Sequence, residues 1–284
     1  MKFQFKIIIP FLIGIGITLL LYWLVRWWGF LVIFPWIGLS ISTGMFLRSV
    51  LKGKKKLIGR KISILMVLPC LLIFVPVVNN ENFQLEGVLL IVLVGFFSKG
   101  FIHYAIAKIF GPLIWGRGFC GWACWTAAIL DWLPVKRKNR KSTLKYKNIR
   151  FLTLAISIVI PLYLVIVLSY DVRANYISNK EMMWMFISNG IYYALGIPLA
   201  FIFSDNRAFC KILCPVSLVM IPASKLSIIK VKPKKGECTE CGVCNIYCPM
   251  EIDVMGYIKN RKPINHEECI LCTDCSIVCP ANAV

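Results

Sequence analysis

The sequence predicts a mainly α-helical protein, in which a polytopic bundle of membrane helices is followed by a small cysteine-rich module. Hydrophobic residues make up 58% of the 284 residues, above the 45–50% typical of soluble domains. They are concentrated in long apolar runs between residues 7 and 203. The last 55 residues are polar, and they hold eight of the thirteen cysteines.

Six apolar runs are long enough to cross a bilayer, which takes about 20 residues. They cover residues 7–25, 28–47, 62–78, 88–108, 151–169 and 182–203, and a tight turn at 26–29 separates the first two. We therefore divide the chain into three regions. These are two transmembrane helices with a basic loop (1–61), a duplicated membrane domain (62–222) and a C-terminal domain (230–284).

The basic residues of the linkers fall almost entirely on one side of the predicted membrane. That side carries 22 of them, whereas the other carries only Arg26, Arg173 and Lys180, together with acidic residues that include Glu81 and Glu86. The positive-inside rule then predicts a multi-pass protein of the cytoplasmic membrane with both termini in the cytoplasm. Because this placement explains the net charge of +20, we expect membrane lipid as a partner and no nucleic acid.

The membrane domain contains an internal repeat at an offset of 90 residues. Residues 96–124 align with 186–214 without a gap, and each copy reads Phe-x-Ser-x-Gly and then Arg-x-Phe-Cys-x-x-x-Cys. Both copies enter the membrane from the same side. A parallel repeat of this kind predicts a pseudo-two-fold axis along the membrane normal.

The C-terminal module carries the spacing Cys-x2-Cys-x2-Cys-x3-Cys-Pro twice, at 238–249 and 269–280. This is the bacterial spacing for two [4Fe–4S] clusters, in which the fourth cysteine of each run ligates the other cluster. It predicts a dicluster ferredoxin-like α+β module. The first cluster would bind Cys238, Cys241, Cys244 and Cys279, and the second would bind Cys269, Cys272, Cys275 and Cys248.

Zinc and disulfides are the alternatives for this module. Zinc ribbons use paired Cys-x2-Cys motifs rather than four cysteines in one run. Disulfides are disfavoured in the cytoplasm, where the charge pattern places the module. Iron–sulfur clusters therefore remain the interpretation for the eight cysteines.

Four further cysteines lie at the predicted cytoplasmic border of the membrane: Cys120, Cys124, Cys210 and Cys214. Each pair is spaced i, i+4, so on a helix both thiols would share a face. The pseudo-two-fold axis would bring the pairs together into a four-thiol site. A third iron–sulfur or iron centre, a redox-active dithiol set, transient copper handling and structural packing all remain open. Arg117 and Arg207, three residues before each pair, could offset an anionic centre or be ordinary positive-inside residues.

Lys99 and His103 lie in the middle of the fourth apolar run, four residues apart. Ionisable side chains at that depth are functional candidates, and a quinone or proton-relay role is one interpretation. A buried polar pair that holds helices together is the other. Cys70 stands alone in an apolar run, where packing is the expected role.

The sequence GRGFCGWAC at 116–124, FCKILCP at 209–215 and the two C-terminal cysteine runs together resemble the membrane-bound polyferredoxins. That family is related to the ferredoxin-type membrane subunit of periplasmic nitrate reductase systems. It also includes the membrane half of the nitrous-oxide reductase maturation flavoprotein and a copper-oxidase assembly protein. The resemblance covers residues 88–284. One departure is Trp125, which follows Cys124 where the family pattern has proline.

The resemblance implies a membrane-anchored electron-transfer subunit rather than a stand-alone enzyme. Electrons would pass between a cytoplasmic donor or a quinol pool and a partner redox complex. The alternative is a copper reduction or assembly factor that uses the four cysteines at the membrane border.

Overall fold

The computed structural model describes residues 5–95, 99–135, 140–171, 174, 179–234 and 236–284. The regular secondary structure of this part is helical. The longer helices form the membrane domain. Short helices at one end of it hold the border cysteines, and the C-terminal module contacts the same end.

The first two helices form a hairpin. Helix α1 (Ile9–Val25) ends at Arg26, which adopts a left-handed conformation with φ of 56°, and α2 (Phe30–Val50) follows. The Thr18 hydroxyl donates a hydrogen bond to the carbonyl oxygen of Phe30 at 2.9 Å, which satisfies a buried polar group. The turn predicted at residues 26–29 is therefore present.

The third helical segment begins at Lys56, six residues before the predicted apolar run. It comprises α3 (Lys56–Leu68), a π-helical turn at Pro69–Phe74 and α4 (Val75–Asn79). A widened turn is expected at Pro69, because proline removes a backbone donor and clashes with the preceding turn. Helix α3 lies directly against α2, since a Cβ atom on Gly59 would collide with the carbonyl oxygen of Gly44.

The fourth predicted run, 88–108, is not one continuous helix. Helix α5 (Leu85–Leu93) ends before Gly95, which has a φ of +66°, a conformation that terminates helices. Residues 96–98 lie outside the described part. The chain then continues as α6 (Lys99–Tyr104), a π-helical turn (Ala105–Phe110) and α7 (Gly111–Trp115).

The linker before α5 is buried in the bundle, with Glu81, Asn82, Phe83 and Gln84 at most 2% exposed. Gln84 Nε2 donates a hydrogen bond to Asn189 Oδ1 at 3.4 Å. Because the Gln84 and Asn189 amides form a hydrogen bond with each other, both polar side chains can be buried without a charged partner.

Helices α10 (Ile149–Ile166) and α11 (Lys180–Phe203) complete the long elements. Four helical segments of the described part are long and apolar enough to cross a membrane, namely Phe30–Val50, Gly53–Val78, Leu144–Ile166 and Lys180–Phe203. Helix α1 is shorter and apolar. Six spans therefore remain a prediction.

The C-terminal module wraps short helices around two cavities. The helices are α14 (Val243–Tyr247), α15 (Val254–Lys259) and α16 (Asp274–Val278). The described part of the module has no strand, so the β component of the predicted α+β fold is reduced to single backbone pairings. Lys234 N donates to Ala283 O and Ile264 N donates to Val231 O, both at 2.9 Å.

Candidate metal centres

One cavity in the C-terminal module is lined by Cys238, Cys241, Cys244 and Cys279. Its other walls include Met255, Ile258, Ala283 and Val284. Three of the cysteines come from the first run and the fourth comes from the second. Such a cavity, with four thiols and apolar walls, is the donor set that a cubane cluster needs.

A second cavity is lined by Cys248, Cys269, Cys272 and Cys275. Its walls include Val231, Met250, Ile252, Ile264 and Ile270. Here the fourth cysteine comes from the first run. The structure thus groups the eight cysteines into the two sets that the spacing predicts.

The two cavities differ in their access to solvent. Cys241 of the first cavity is exposed, whereas Cys248, Cys272 and Cys275 of the second are buried. Burial raises the pKa of Cys269 to about 11 and that of Cys275 to about 12. Thiolates in the second cavity therefore need a positive partner, which a metal cluster supplies.

The cysteines are not arranged around a single ion. In the described part of the chain, no three His, Cys, Asp or Glu side chains converge closely enough to share one metal ion. A cluster of several iron and sulfide atoms needs wider spacing between its ligands. Both cavities fit that larger group.

The border cysteines lie in two copies of one backbone motif. Cys120 is in α8 (Gly118–Trp122) and Cys210 is in α12 (Ala208–Ile212), both five-residue helices. Cys124 and Cys214 are extended and immediately precede α9 (Trp125–Leu130) and α13 (Pro215–Lys225). The helix therefore ends between the two cysteines of each pair, so they do not share one helical face as the i, i+4 spacing predicted.

The four border cysteines nevertheless lie in the same region of the structure. Each lies within electrostatic range of the other three. Burial raises the pKa of Cys214 to about 12, and the neighbouring thiols add to this shift. Cys120 also packs against the apolar cores of both the membrane domain and the C-terminal module.

Arg117 and Arg207 are buried and paired with carboxylates. Arg117 forms an ion pair with Glu268 of the C-terminal module. Arg207 pairs with Asp131 and donates a hydrogen bond from Nη1 to the carbonyl oxygen of Cys120 at 2.8 Å. Because each arginine is neutralised, neither is an ordinary solvated residue of a cytoplasmic loop.

Arginines also fix the C-terminal module to the membrane domain. Arg48 donates to the carbonyl oxygen of Cys272 at 2.8 Å and to Asp274 Oδ1 at 2.7 Å. Arg60 lies between two carboxylates, with Nη1 2.8 Å from Asp131 and Nε 3.6 Å from Asp274. Two of the basic residues predicted to mark the cytoplasmic side are therefore docking residues at the second cavity.

The loop of the second cavity lies directly on the segment between Cys120 and Cys124. A Cβ atom on Gly121 would collide with the carbonyl oxygen of Ile270. The indole Nε1 of Trp122 donates a hydrogen bond to the carbonyl oxygen of Leu271 at 3.0 Å. These contacts join the two cysteine sites through backbone, and only glycine permits so close an approach.

Of the proposed pair Lys99 and His103, the structure describes the His103 side chain. The side chain of Lys99 lies outside the described part. His103 is buried, and its ring packs edge-on against Phe83 with centroids 5.0 Å apart. Cys70 is buried in the apolar core.

Three buried residues beside the border thiols had no predicted role at the site: Tyr104, Lys108 and Trp125. Lys108 Nζ lies 4.0 Å from the ring centroid of Trp125 and 4.4 Å from that of Tyr104. The internal repeat could have identified them, because the equivalent positions 90 residues later are Ala194, Pro198 and Pro215, which have no side-chain donor.

A family model and several known proteins are similar to this chain. A family model described as a 4Fe-4S binding domain matches residues 104–142 and 190–235. The two matched segments are those that carry the border cysteines, and they precede the eight-cysteine module. No solved structure matches this chain.

Three relatives illustrate the similarity. An uncharacterized protein of Methanocaldococcus jannaschii is 28% identical over 79% of this chain and 87% of its own length. YccM of Escherichia coli, provisionally named an electron transport protein, is 26% identical over 62% of this chain and 52% of its own. The methylamine utilization ferredoxin-type protein MauN of Methylorubrum extorquens is 25% identical over 51% of each chain.

Proposed function

We propose that this chain, a relative of the ferredoxin-type membrane electron-transport proteins, relays electrons between a soluble donor or quinol and a partner redox complex. The coarser function, iron–sulfur electron transport at a membrane, follows from the family match and the relatives. The proposal adds the order of the carriers, their ligands and the orientation of the protein.

The ligands follow the two cavities. One [4Fe–4S] cluster is held by Cys238, Cys241, Cys244 and Cys279, and the other is held by Cys248, Cys269, Cys272 and Cys275. Cys120, Cys124, Cys210 and Cys214 hold a third iron–sulfur centre. Support for the third centre comes from the location of the four thiols in one region and from the family match to their segments.

The observation that carries the relay is the contact between Ile270 and Gly121. It leaves only backbone between a loop that bears Cys269 and Cys272 and a segment that bears Cys120 and Cys124. Electrons would enter at the cluster that Cys238, Cys241, Cys244 and Cys279 would hold, since Cys241 is exposed. The clusters would supply one-electron transfer, first to the site of Cys248, Cys269, Cys272 and Cys275 and then to the border cysteines.

The exposed first cluster suits a soluble cytoplasmic donor. A quinol donor would instead deliver two electrons and two protons at the buried polar region near His103, Gln84 and Asn189. Six spans with both termini in the cytoplasm are part of this proposal. Protease accessibility of tags at each terminus in oriented vesicles tests that topology.

Redox-titrated EPR of the purified protein tests the relay, together with iron and acid-labile sulfide analysis. We expect two [4Fe–4S] signals that depend on the eight C-terminal cysteines, and a third centre that disappears in the Cys120→Ala/Cys210→Ala double variant. Protein that contains iron and yields no [4Fe–4S] signal on reduction would overturn the proposal. Unchanged iron content in the double variant would refute the third centre alone.

Copper handling is a second candidate that one contact favours. Cys120 Sγ lies 3.7 Å from the thioether sulfur of Met220, and soft thiolate and thioether ligands select Cu(I). In this function the C-terminal clusters would supply an electron that reduces Cu(II) to Cu(I) at the border site. Stoichiometric copper that is lost in the Cys120→Ala/Cys210→Ala variant and in Met220→Leu would support copper over an iron–sulfur centre.

A further inference from the structure

Lys108 is a buried cation held against aromatic rings. Its side chain is 5% exposed. Its Nζ atom lies 4.0, 4.4 and 5.5 Å from the ring centroids of Trp125, Tyr104 and Phe119. Cation–π contacts stabilise a desolvated ammonium only in part, so a charge at this depth normally has an anionic partner.

No carboxylate of the described part lies within 4.0 Å of Lys108 Nζ. Other cations near the border thiols do have carboxylate partners: Glu268 for Arg117, Asp131 for Arg207, and Asp205 for Lys211. Glu86 is within electrostatic range of Lys108 but forms no ion pair with it, and Cys120, Cys124 and Cys214 are within the same range.

Two neutral donors next to Lys108 are also unsatisfied. Tyr104 Oη and Trp125 Nε1 are buried, and neither has a hydrogen-bond partner among the described residues. A buried donor without an acceptor costs about 1–3 kcal/mol, so its presence calls for an explanation. Both belong to the rings that contact Lys108, and Trp125 directly follows Cys124.

Tyr104 and Lys108 belong to the first copy of the repeat, and Trp125 directly follows it. The equivalent positions in the second copy are Ala194, Pro198 and Pro215, which have no side-chain donor. Both copies fold into the same motif around their cysteines. The donors are therefore not needed for the fold of the motif.

We infer that Lys108, Tyr104 and Trp125 form a donor wall for an anionic, thiolate-ligated centre at the border cysteines, and that Lys108 favours its reduced form. The inference rests on the third centre of the proposed function. Four thiolates give an iron–sulfur centre a net negative charge, and each electron that it accepts makes the charge more negative. A fixed ammonium stabilises the reduced state more than the oxidised state, and donors to cluster sulfur act in the same direction.

The test measures the midpoint potential of the border centre in the full chain. Its EPR signal is first identified as the one that Cys120→Ala/Cys210→Ala removes. Lys108→Met is then compared with Lys108→Arg, which keeps the charge, and with Tyr104→Phe, which removes one donor. Lys54→Met is the matched control, because Lys54 lies 5.4 Å from the ring centroid of Tyr247 but is exposed.

We expect Lys108→Met to lower the ratio of reduced to oxidised border centre at least tenfold at a fixed potential, which is a shift of 59 mV for one electron. Tyr104→Phe should lower the ratio by less, and Lys108→Arg and Lys54→Met should leave it close to the wild-type value. The signals of the two C-terminal clusters should titrate unchanged in every variant. Loss of the border signal in Lys108→Met, with retention in Lys108→Arg, would also support the inference.

An unchanged border potential in Lys108→Met would overturn the inference and leave the relay standing. Equal effects of Lys108→Met and Lys108→Arg would also overturn it, because charge would then not be the cause. Absence of any third centre from wild-type protein would instead refute the border centre of the proposed function, and the donor wall with it.

Discussion

Arg207 and Asp131 form a bidentate ion pair in the buried interior of the protein. Arg207 Nε donates to Asp131 Oδ1 at 2.8 Å and Nη2 donates to Oδ2 at 2.6 Å. Asp131 follows the first cysteine pair along the chain, and Arg207 precedes the second pair. The ion pair therefore joins the segment after the first cysteine pair to the second copy of the repeat, and Arg60 ties it to the C-terminal module through Asp131 and Asp274.

Replacement of Asp131 by Asn should be strongly destabilising. It leaves Arg60 and Arg207 buried without their shared carboxylate, and loss of one partner of a buried pair costs about 3–5 kcal/mol. Thermal unfolding in detergent should show the loss. The control is Glu267→Gln, at an exposed pair with Lys225 at 4.0 Å, where a change of at most about 1 kcal/mol is expected. Equal stability of the two variants would contradict this account.

Gly121→Ala should slow electron transfer between the second cluster and the border centre. The added methyl group would collide with the carbonyl oxygen of Ile270 and push the two segments apart. Rapid-mixing reduction followed by freeze-quench EPR measures the rate, while iron content should stay unchanged. Gly190→Ala is the control, because its Cβ would meet no atom within 4 Å. A wild-type rate in Gly121→Ala would remove the main support for this path.

The crossover of ligands between the two cysteine runs predicts which cluster each substitution damages. Cys279→Ser should impair the cluster of Cys238, Cys241 and Cys244, although Cys279 belongs to the other run. Cys248→Ser should impair the cluster of the second run. EPR of the reduced variants distinguishes the two, and Cys70→Ala should retain all iron. Damage confined to the run that carries the substitution would mean that the ligands do not cross over.

Acid should weaken the docking of the C-terminal module at Glu251. Burial opposes ionisation of Glu251, but its ion pair with Lys211 and hydrogen bonds from Thr143 hold its pKa below the usual value of 4.5. A depressed folded-state pKa contributes stability above pH 4.5 that is lost as the pH falls further.

Unfolding midpoints measured from pH 7 to below pH 4 should therefore fall less steeply for Glu251→Gln than for wild type. The same substitution at the more exposed Glu267 should leave the wild-type slope unchanged. Parallel profiles for wild type and Glu251→Gln would show that this ion pair does not contribute.

Local patterns in the sequence determined much of the architecture. Apolar runs predicted the long helices, because a bilayer requires continuous apolar length. Cysteine spacing predicted the two groups of four thiols that line the cavities, because a tight loop constrains three ligands at once. The offset of 90 residues predicted that Cys120, Cys124, Cys210 and Cys214 meet. The break at Gly95 was missed, because residues 88–94 and 99–108 read as one apolar run.

Only the tertiary structure decided how charges are paired. Arg48, Arg60 and Arg207 read as positive-inside residues in the sequence, yet they bind Asp131 and Asp274 across more than 70 residues of chain. Lys108 lies at the end of an apolar run, and its isolation beside three border thiols depends on where Trp125 and Tyr104 fold. Electrostatic energy depends on distance and burial in three dimensions, and neither can be read from a linear pattern.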